Sequence, residues 1–420
     1  MIARALVLVG LLLVACSPMQ LAPGADPLVI GAIYPLTGPQ QDGGREELGG
    51  VQAALDVARA RGVAGAGRVE LRVIDVQTPD QARAAVDRLI DTDHASLIIG
   101  TYGSTLSEVA AARADERRVV YWETGAVADS VMTGRSYVFR TVATGGTLGR
   151  MAVRFTQDVL LAGAGLSPAA ARVAIVSVDD VYGASVADAE EAGARAAGMQ
   201  VAVRVRYDPH AFSPDAVADQ VAAIRPDYLF DVSYLDDGIA IWRGLLDRRV
   251  PLRGAVGTSS AFCMKDFGER LAGQAVGLYA ADKPDGSVAP EALTPATRQL
   301  LDAARRAYTT RTRDPELPIP AVAGFVGGWV LFHDVLPAVH GAMTSDAIRT
   351  AAYAVDVPAG QEINGGGVKF SPPGSPDAGQ NQRTVSVVGQ WQAVETMRIV
   401  FPSPFAIAPP RLELSAPRFP

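Results

Sequence analysis

Twice along its length the chain alternates short apolar runs with segments whose apolar residues recur every three or four positions. That alternation restricts the fold more than any other feature. Leu28–Tyr34 is a continuous apolar run closed by Pro35 and Gly38, the pattern of a buried strand. Leu48, Val51, Leu55 and Ala58 then fall on one face of a helix over Glu46–Ala60. Strands over Val69–Asp75, Ser96–Gly100 and Val119–Trp122 alternate with helices over Asp80–Asp91 and Ser104–Glu116. The pattern resumes with strands over Arg172–Ser177, Gln200–Tyr207, Tyr228–Val232 and Leu252–Val256. Helices over Gly183–Ala197, Pro214–Ile224 and Gly238–Arg248 separate them. A strand joined through a helix to the next strand gives a parallel pair with a right-handed crossover. The expected class is therefore α/β, with two doubly wound Rossmann-like lobes, since 420 residues exceed one ordinary core. Past Gly277–Ala281 the pattern loosens into helices over Ala296–Thr309 and Ala321–Val339, then a β-rich part at Ile363–Phe370 and Thr384–Gln392.

The first residues have a different character. Met1–Arg4 is a short basic start, and Ala5–Ala15 is an apolar run that ends at Cys16. So short a run cannot cross a bilayer, which takes about 20 residues, but it fits the apolar region of a signal peptide. Leu13-Val14-Ala15-Cys16 resembles a lipobox, which implies acylation of Cys16, removal of 1–15 and a tether over 16–27. The expected location is extracytoplasmic, in the periplasm or on the outer face of the cell membrane, with a lipid as the anchor. Cys263, the other cysteine, then has no partner in the chain and reads as a buried thiol.

Composition narrows the function. A net charge of −7 and a pI near 5.3 lack the basic footprint that nucleic-acid binding needs. The four histidines are scattered, without the spacing of a metal site, so no cofactor is expected. No nucleophile elbow, dinucleotide fingerprint or phosphate loop occurs, which argues for a non-enzymatic protein.

In open α/β sheets ligands bind beyond the carboxyl ends of the strands. After the third strand, Tyr102, Ser104 and Thr105 follow glycines that let the backbone approach a ligand, and Ser104 either contacts it or caps its own helix. After the fourth come Glu123, Gly125 and Ala126; Glu123 either meets a ligand amine or sits in a solvated loop. Tyr182 and Tyr234 hold corresponding places in the second half, as a ligand cover or as packing. The adjacent pairs Asp179/Asp180 and Asp236/Asp237 read as solvated surface.

These loops, in this order, resemble those of the type I periplasmic binding proteins, in particular the branched-chain amino-acid (Leu/Ile/Val-type) solute-binding family of ABC transporters. The resemblance is carried by Ile30–Pro39, Ile98–Gly100 with Ser104, Tyr121–Ala126, Phe139–Thr141 and Val181–Gly183. It implies two lobes joined by a three-strand hinge: 28–144 with 283–361, and 145–282 with 362–402, followed by an irregular tail at 403–420. It implies that Ser104 and the Gly125-Ala126 backbone hold a ligand carboxylate, and that Tyr234 contacts the ligand. The implied partners are a small-molecule ligand (amino acid, amide or carboxylate) and a permease, with the protein a monomer; a ligand-sensing or cell-envelope regulatory lipoprotein is the alternative. Two departures stand out. The family's amine-binding carboxylates fall at Gly145 and Ser259, and a carboxylate-binding threonine falls at Val127, leaving Glu123 or Asp236 to meet any ammonium group. Replacing Cys16 with Ser is expected to move the protein from the membrane to the soluble fraction; retention in the membrane would refute the anchor.

Overall fold

The computed structural model describes residues 27–412. Cys16, the leader and the last residues of the tail lie outside the described residues. The first sheet contains β1 (Leu28–Tyr34), β2 (Val69–Asp75), β3 (Leu97–Gly100), β4 (Val120–Glu123) and β5 (Val138–Arg140), ordered β2-β1-β3-β4-β5 and parallel throughout. The second contains β6 (Arg172–Val178), β7 (Gln200–Tyr207), β8 (Tyr228–Val232), β9 (Gly254–Thr258), β10 (Tyr279–Asp282), β11 (Val387–Ala393) and β12 (Thr396–Phe401). Its order is β12-β11-β10-β9-β8-β6-β7, antiparallel only where β11 meets β10 and β12. This is the expected two-lobed α/β architecture.

Helices α1 (Gln41–Ala60), α2 (Pro79–Asp91) and α3 (Ser104–Glu116) link the first strands. In the second lobe α4 (Gly145–Phe155), α5 (Val181–Ala196), α6 (Pro214–Ile224), α7 (Leu235–Asp247) and α8 (Lys265–Leu271) do so. The chain then returns to the first lobe as α9 (Pro295–Thr312), α10 (Ile319–Trp329) and α11 (Ser345–Tyr353). Several starts are set by side-chain caps: Thr78 accepts from Gln81 N–H, Asp180 from Gly183 and Ser213 from Ala216. α1 crosses α10 with backbones nearly touching. A Cβ added to Gly50 would stand 2.0 Å from the Ala321 carbonyl, and one on Gly324 would stand 2.0 Å from that of Glu47. Glycine is required at both positions. The stretch Ile319–Ala338 is apolar and long enough to cross a bilayer, yet 89% of its most apolar window is buried, as befits this core helix.

Three crossovers join the lobes, and Thr141–Ala143, Lys283–Pro284 and Thr384–Val385 from all three line one small void. The third was expected at 361/362. Ile363, Val368 and Phe370 instead pack with Ile30, Leu97, Trp122 and Phe139 in the first core, so the chain crosses later, ahead of β11. Of the β-rich part expected at Ile363–Phe370, only Val368–Lys369 forms a strand, paired with Asp356–Val357. Here burial, not pairing, holds the segment: the Phe370 ring lies edge-on to Trp122 and Phe139, centroids 5.3 and 5.1 Å away. The described part of the tail is irregular but bonded, with Ile407 N–H donating to Ile399 and Arg411 N–H to Gln390 Oε1.

Replacing Phe370 with Ala should cost ~3–5 kcal/mol of unfolding free energy, as for a fully packed phenylalanine. Urea titration reads this directly, and a loss below about 1 kcal/mol would place Phe370 outside the core.

Candidate ligand-binding cleft

The loops after β1, β2 and β3 face those after β6, β7 and β8 across the gap between the lobes. They enclose a cavity of about 620 Å³. Gln40, Gln77, Thr105 and Leu106 line it from the first lobe, and Asp180, Asp208, Tyr234 and Asp237 from the second. A narrow recess leads inward past Gln40 and Tyr234 to Tyr102, Ser260 and Met264.

Three of the expected residues meet here. Tyr102 lies against α1, where Gly43 leaves room for its ring, and its hydroxyl donates to Met264 Sδ of the other lobe at 3.7 Å. Thr105 Oγ1 donates across the gap to Asp180 Oδ2 at 3.4 Å. Tyr234 lines the cavity, with its hydroxyl donating to the same Asp180 oxygen at 2.6 Å. Tyr182 stands one layer behind; its hydroxyl bonds Thr258 and the Ser259 carbonyl, and its ring lies 5.5 Å from that of Tyr234. It positions Tyr234 without lining the cavity.

The other four are committed elsewhere. Glu123, expected to meet a ligand or sit in solvent, is fully buried. Its Oε1 accepts from the N–H groups of Gly125 at 2.6 Å and Ala126 at 2.7 Å; its Oε2 accepts from Ser107 and from Thr101 N–H. The two amides expected to hold a ligand carboxylate are thus bonded to the chain's own carboxylate. Burial raises Glu123 to about 7, opposed by the bonds from Ser107, Gly125 and Ala126 and by the Arg140 charge. Ser104 Oγ accepts from Ala128 N–H at 3.1 Å, so it braces the same loop. Below it Glu47 is buried with Thr124 donating to it at 2.6 Å, and burial together with the Glu123 charge lifts it well above the usual carboxylate range.

The acidic pairs do not behave as uniform surface. Asp179 pairs with Arg206, and Asp236 with Arg270 at 2.6 Å, so Asp236 is not free for an ammonium group. Asp180 caps α5 and meets Tyr234, while Asp237 is half-buried and accepts from Tyr207 at 3.1 Å. Their one available signal was position, immediately after a strand. Cys263 is buried, and burial pushes its thiol up, away from the reactive thiolate.

The profile of the Periplasmic binding protein family matches residues 27–392. The chain belongs to that family. The Leu/Ile/Val-binding protein homolog 8 of Brucella abortus (strain 2308) is 28% identical over 386 residues, covering 91% of this chain and 92% of the relative. Among solved structures, the leucine binding protein LivK of Thermotoga maritima superposes with a TM-score of 0.74 at 19% identity, covering 89% of this chain and 98% of that one. A solute binding protein of an ABC transporter from R. palustris, in complex with benzoate, gives 0.73 at 16% identity, covering 91% and 98%. These two likenesses establish the type I periplasmic binding protein fold.

Within this periplasmic binding protein the two positions that lack the amine-binding carboxylates are occupied in other ways. A Cβ on Gly145 would stand 2.5 Å from Ser185 Oγ, so any side chain there requires Ser185 to shift. Ser259 instead donates to Asp282 at 2.7 Å and accepts from Lys283 Nζ at 3.1 Å. Behind the β8 loop, burial and the Asp237 charge raise Asp231 to about 7, with the Ser233 bond opposing. A carboxyl raised in the folded state stabilises fully below about pH 4, and the gain is lost as pH rises through about 7. Asp231→Asn should therefore reduce the fall in stability from pH 4 to pH 8 by roughly 4 kcal/mol, at 1.36 kcal/mol per unit. Urea midpoints at the two pH values test this, and parallel curves for the two proteins would refute it.

Proposed function

We propose that this protein is the lipid-anchored, extracytoplasmic solute-binding component of an ABC importer. A monomer tethered through Cys16 captures a small polar solute between its lobes and presents it to a permease. The observation that supports this best is the cavity of about 620 Å³ at the carboxyl ends of both sets of parallel strands, since such crevices are where open α/β sheets bind ligands. Its walls come from two lobes joined by three crossovers, so a bound solute contacts both and biases them toward closure. The relatives support the class: the structural neighbours include an ABC transporter protein with benzoate and the transporter protein LivJ of Streptococcus pneumoniae with isoleucine. No step of covalent chemistry is needed.

An affinity near 1 μM corresponds to about 8 kcal/mol. A solute bound in this cavity should raise the melting temperature, and Tyr234→Ala should weaken it by about tenfold or more, the loss of at least ~1.4 kcal/mol of contact. Thermal shift and calorimetry on both proteins check it. A solute that binds both alike would place the site elsewhere.

A further inference from the structure

The walls of the cleft differ in charge, and the difference selects a class of solute. On the first lobe the groups suited to an anion are spent, because the Gly125 and Ala126 amides bond Glu123 and the Ser104 oxygen accepts from Ala128. No lysine or arginine lines the cavity. On the second lobe Asp179 and Asp236 are neutralised by Arg206 and Arg270. Asp180, Asp208 and Asp237 have no cationic partner within 4.0 Å among the described residues. Asp237 is driven upward by burial and then by its Asp236 and Asp180 neighbours, the response of a carboxylate that lacks a counter-charge. Across the gap Gln40 and Thr105 line the same space with uncharged polar side chains.

We propose that the solute is an organic cation, an amine-bearing molecule whose ammonium group lies between Asp180 and Asp237 and against the Tyr234 ring. Asp208 attracts the charge at the cavity mouth. This rests on the solute-capture reading of the same cleft. The cation is organic because no group of three His, Cys, Asp or Glu among the described residues is close enough to hold a metal ion. The carboxylates are spread along a cavity that also presents Leu106, Pro39 and the Tyr234 ring, which suits a charged head on an apolar body. An ammonium here restores the charge balance that the folded lobe lacks, whereas a carboxylate faces three like charges and finds no free amide pair.

The test screens the purified full chain by thermal shift against amines, amides and carboxylates on matched carbon skeletons. Isoamylamine, isovaleramide and isovalerate form one such set, and their phenyl-bearing counterparts another. Hits are followed by calorimetry at low and high salt. The expected ligands are amines, whose affinity falls with salt and weakens by about tenfold or more in Asp180→Asn with Asp237→Asn. Asn keeps the cap at Gly183, and the melting temperature without ligand checks that the variant folds. Binding led by a carboxylate or an amide, or an amine held equally by the variant, overturns the cation and leaves solute capture standing. No shift with any compound overturns both.

Discussion

The buried Arg140 guanidinium is the interaction on which the site depends. It is 1% exposed, and burial lowers it to about 10, still charged at neutral pH. Its Nη1 donates to the carbonyls of Ala126 and Ala128, and its Nε to Gln380 Oε1 at 2.7 Å. The loop after β4 is thereby held from both sides: Glu123 takes its N–H groups and Arg140 its C=O groups. Gln380 in turn donates to Val142, and Asn381 to Thr141, which ties the segment before the third crossover to the first. A charge so enclosed costs free energy unless every donor is used and a counter-charge stands near, and Glu123 and Asp129 supply that charge. One ion thus fixes both a wall of the first lobe and the hinge.

This rigidity explains why the two lobes meet a solute so differently. The first lobe has bonded the amides of the loop after β4 internally and lines the cavity with uncharged side chains such as Gln40, Gln77 and Thr105. The second presents carboxylates on three successive loops. Thr105 and Asp180 already reach one another across the gap, as do Ser185 and Asp129. A few side chains at the edges of the cleft thus link the lobes, while the loop after β4 is held by Glu123 and Arg140.

The strands β1 to β4 and β6 to β9 were legible as apolar runs or, in β2 and β7, as alternations of apolar and polar residues. β5 was not, since Val138–Arg140 is three residues long and ends in a buried charge that no periodicity anticipates. α4 was hidden by Gly145, Gly146 and Gly149, poor helix formers, of which Gly145 and Gly149 lie where α5 packs too closely for larger residues. Tyr102, Thr105 and Tyr234 were legible as loop residues at strand ends. The fate of Glu123 was not, because whether a carboxylate at a strand end faces solvent or folds back on its own loop depends on Ser107 and Thr101, which only the fold brings beside it. Likewise nothing in the letters separates Asp180 and Asp237 from their neighbours Asp179 and Asp236; the distinction lies in which of them Arg206 and Arg270 can reach.

The late return of the chain has a consequence for how the protein is made. The first core is incomplete without Ile363, Val368 and Phe370, and the second without Trp391 and Val400. Neither lobe is a continuous piece of chain, so neither core can close until nearly the whole polypeptide has been synthesised. Contacts between such distant residues also form slowly, because long loops must be closed first. A nascent chain of this kind cannot complete either core through most of its synthesis, and an uncompleted fold is the condition a polypeptide must be in to be threaded through a membrane.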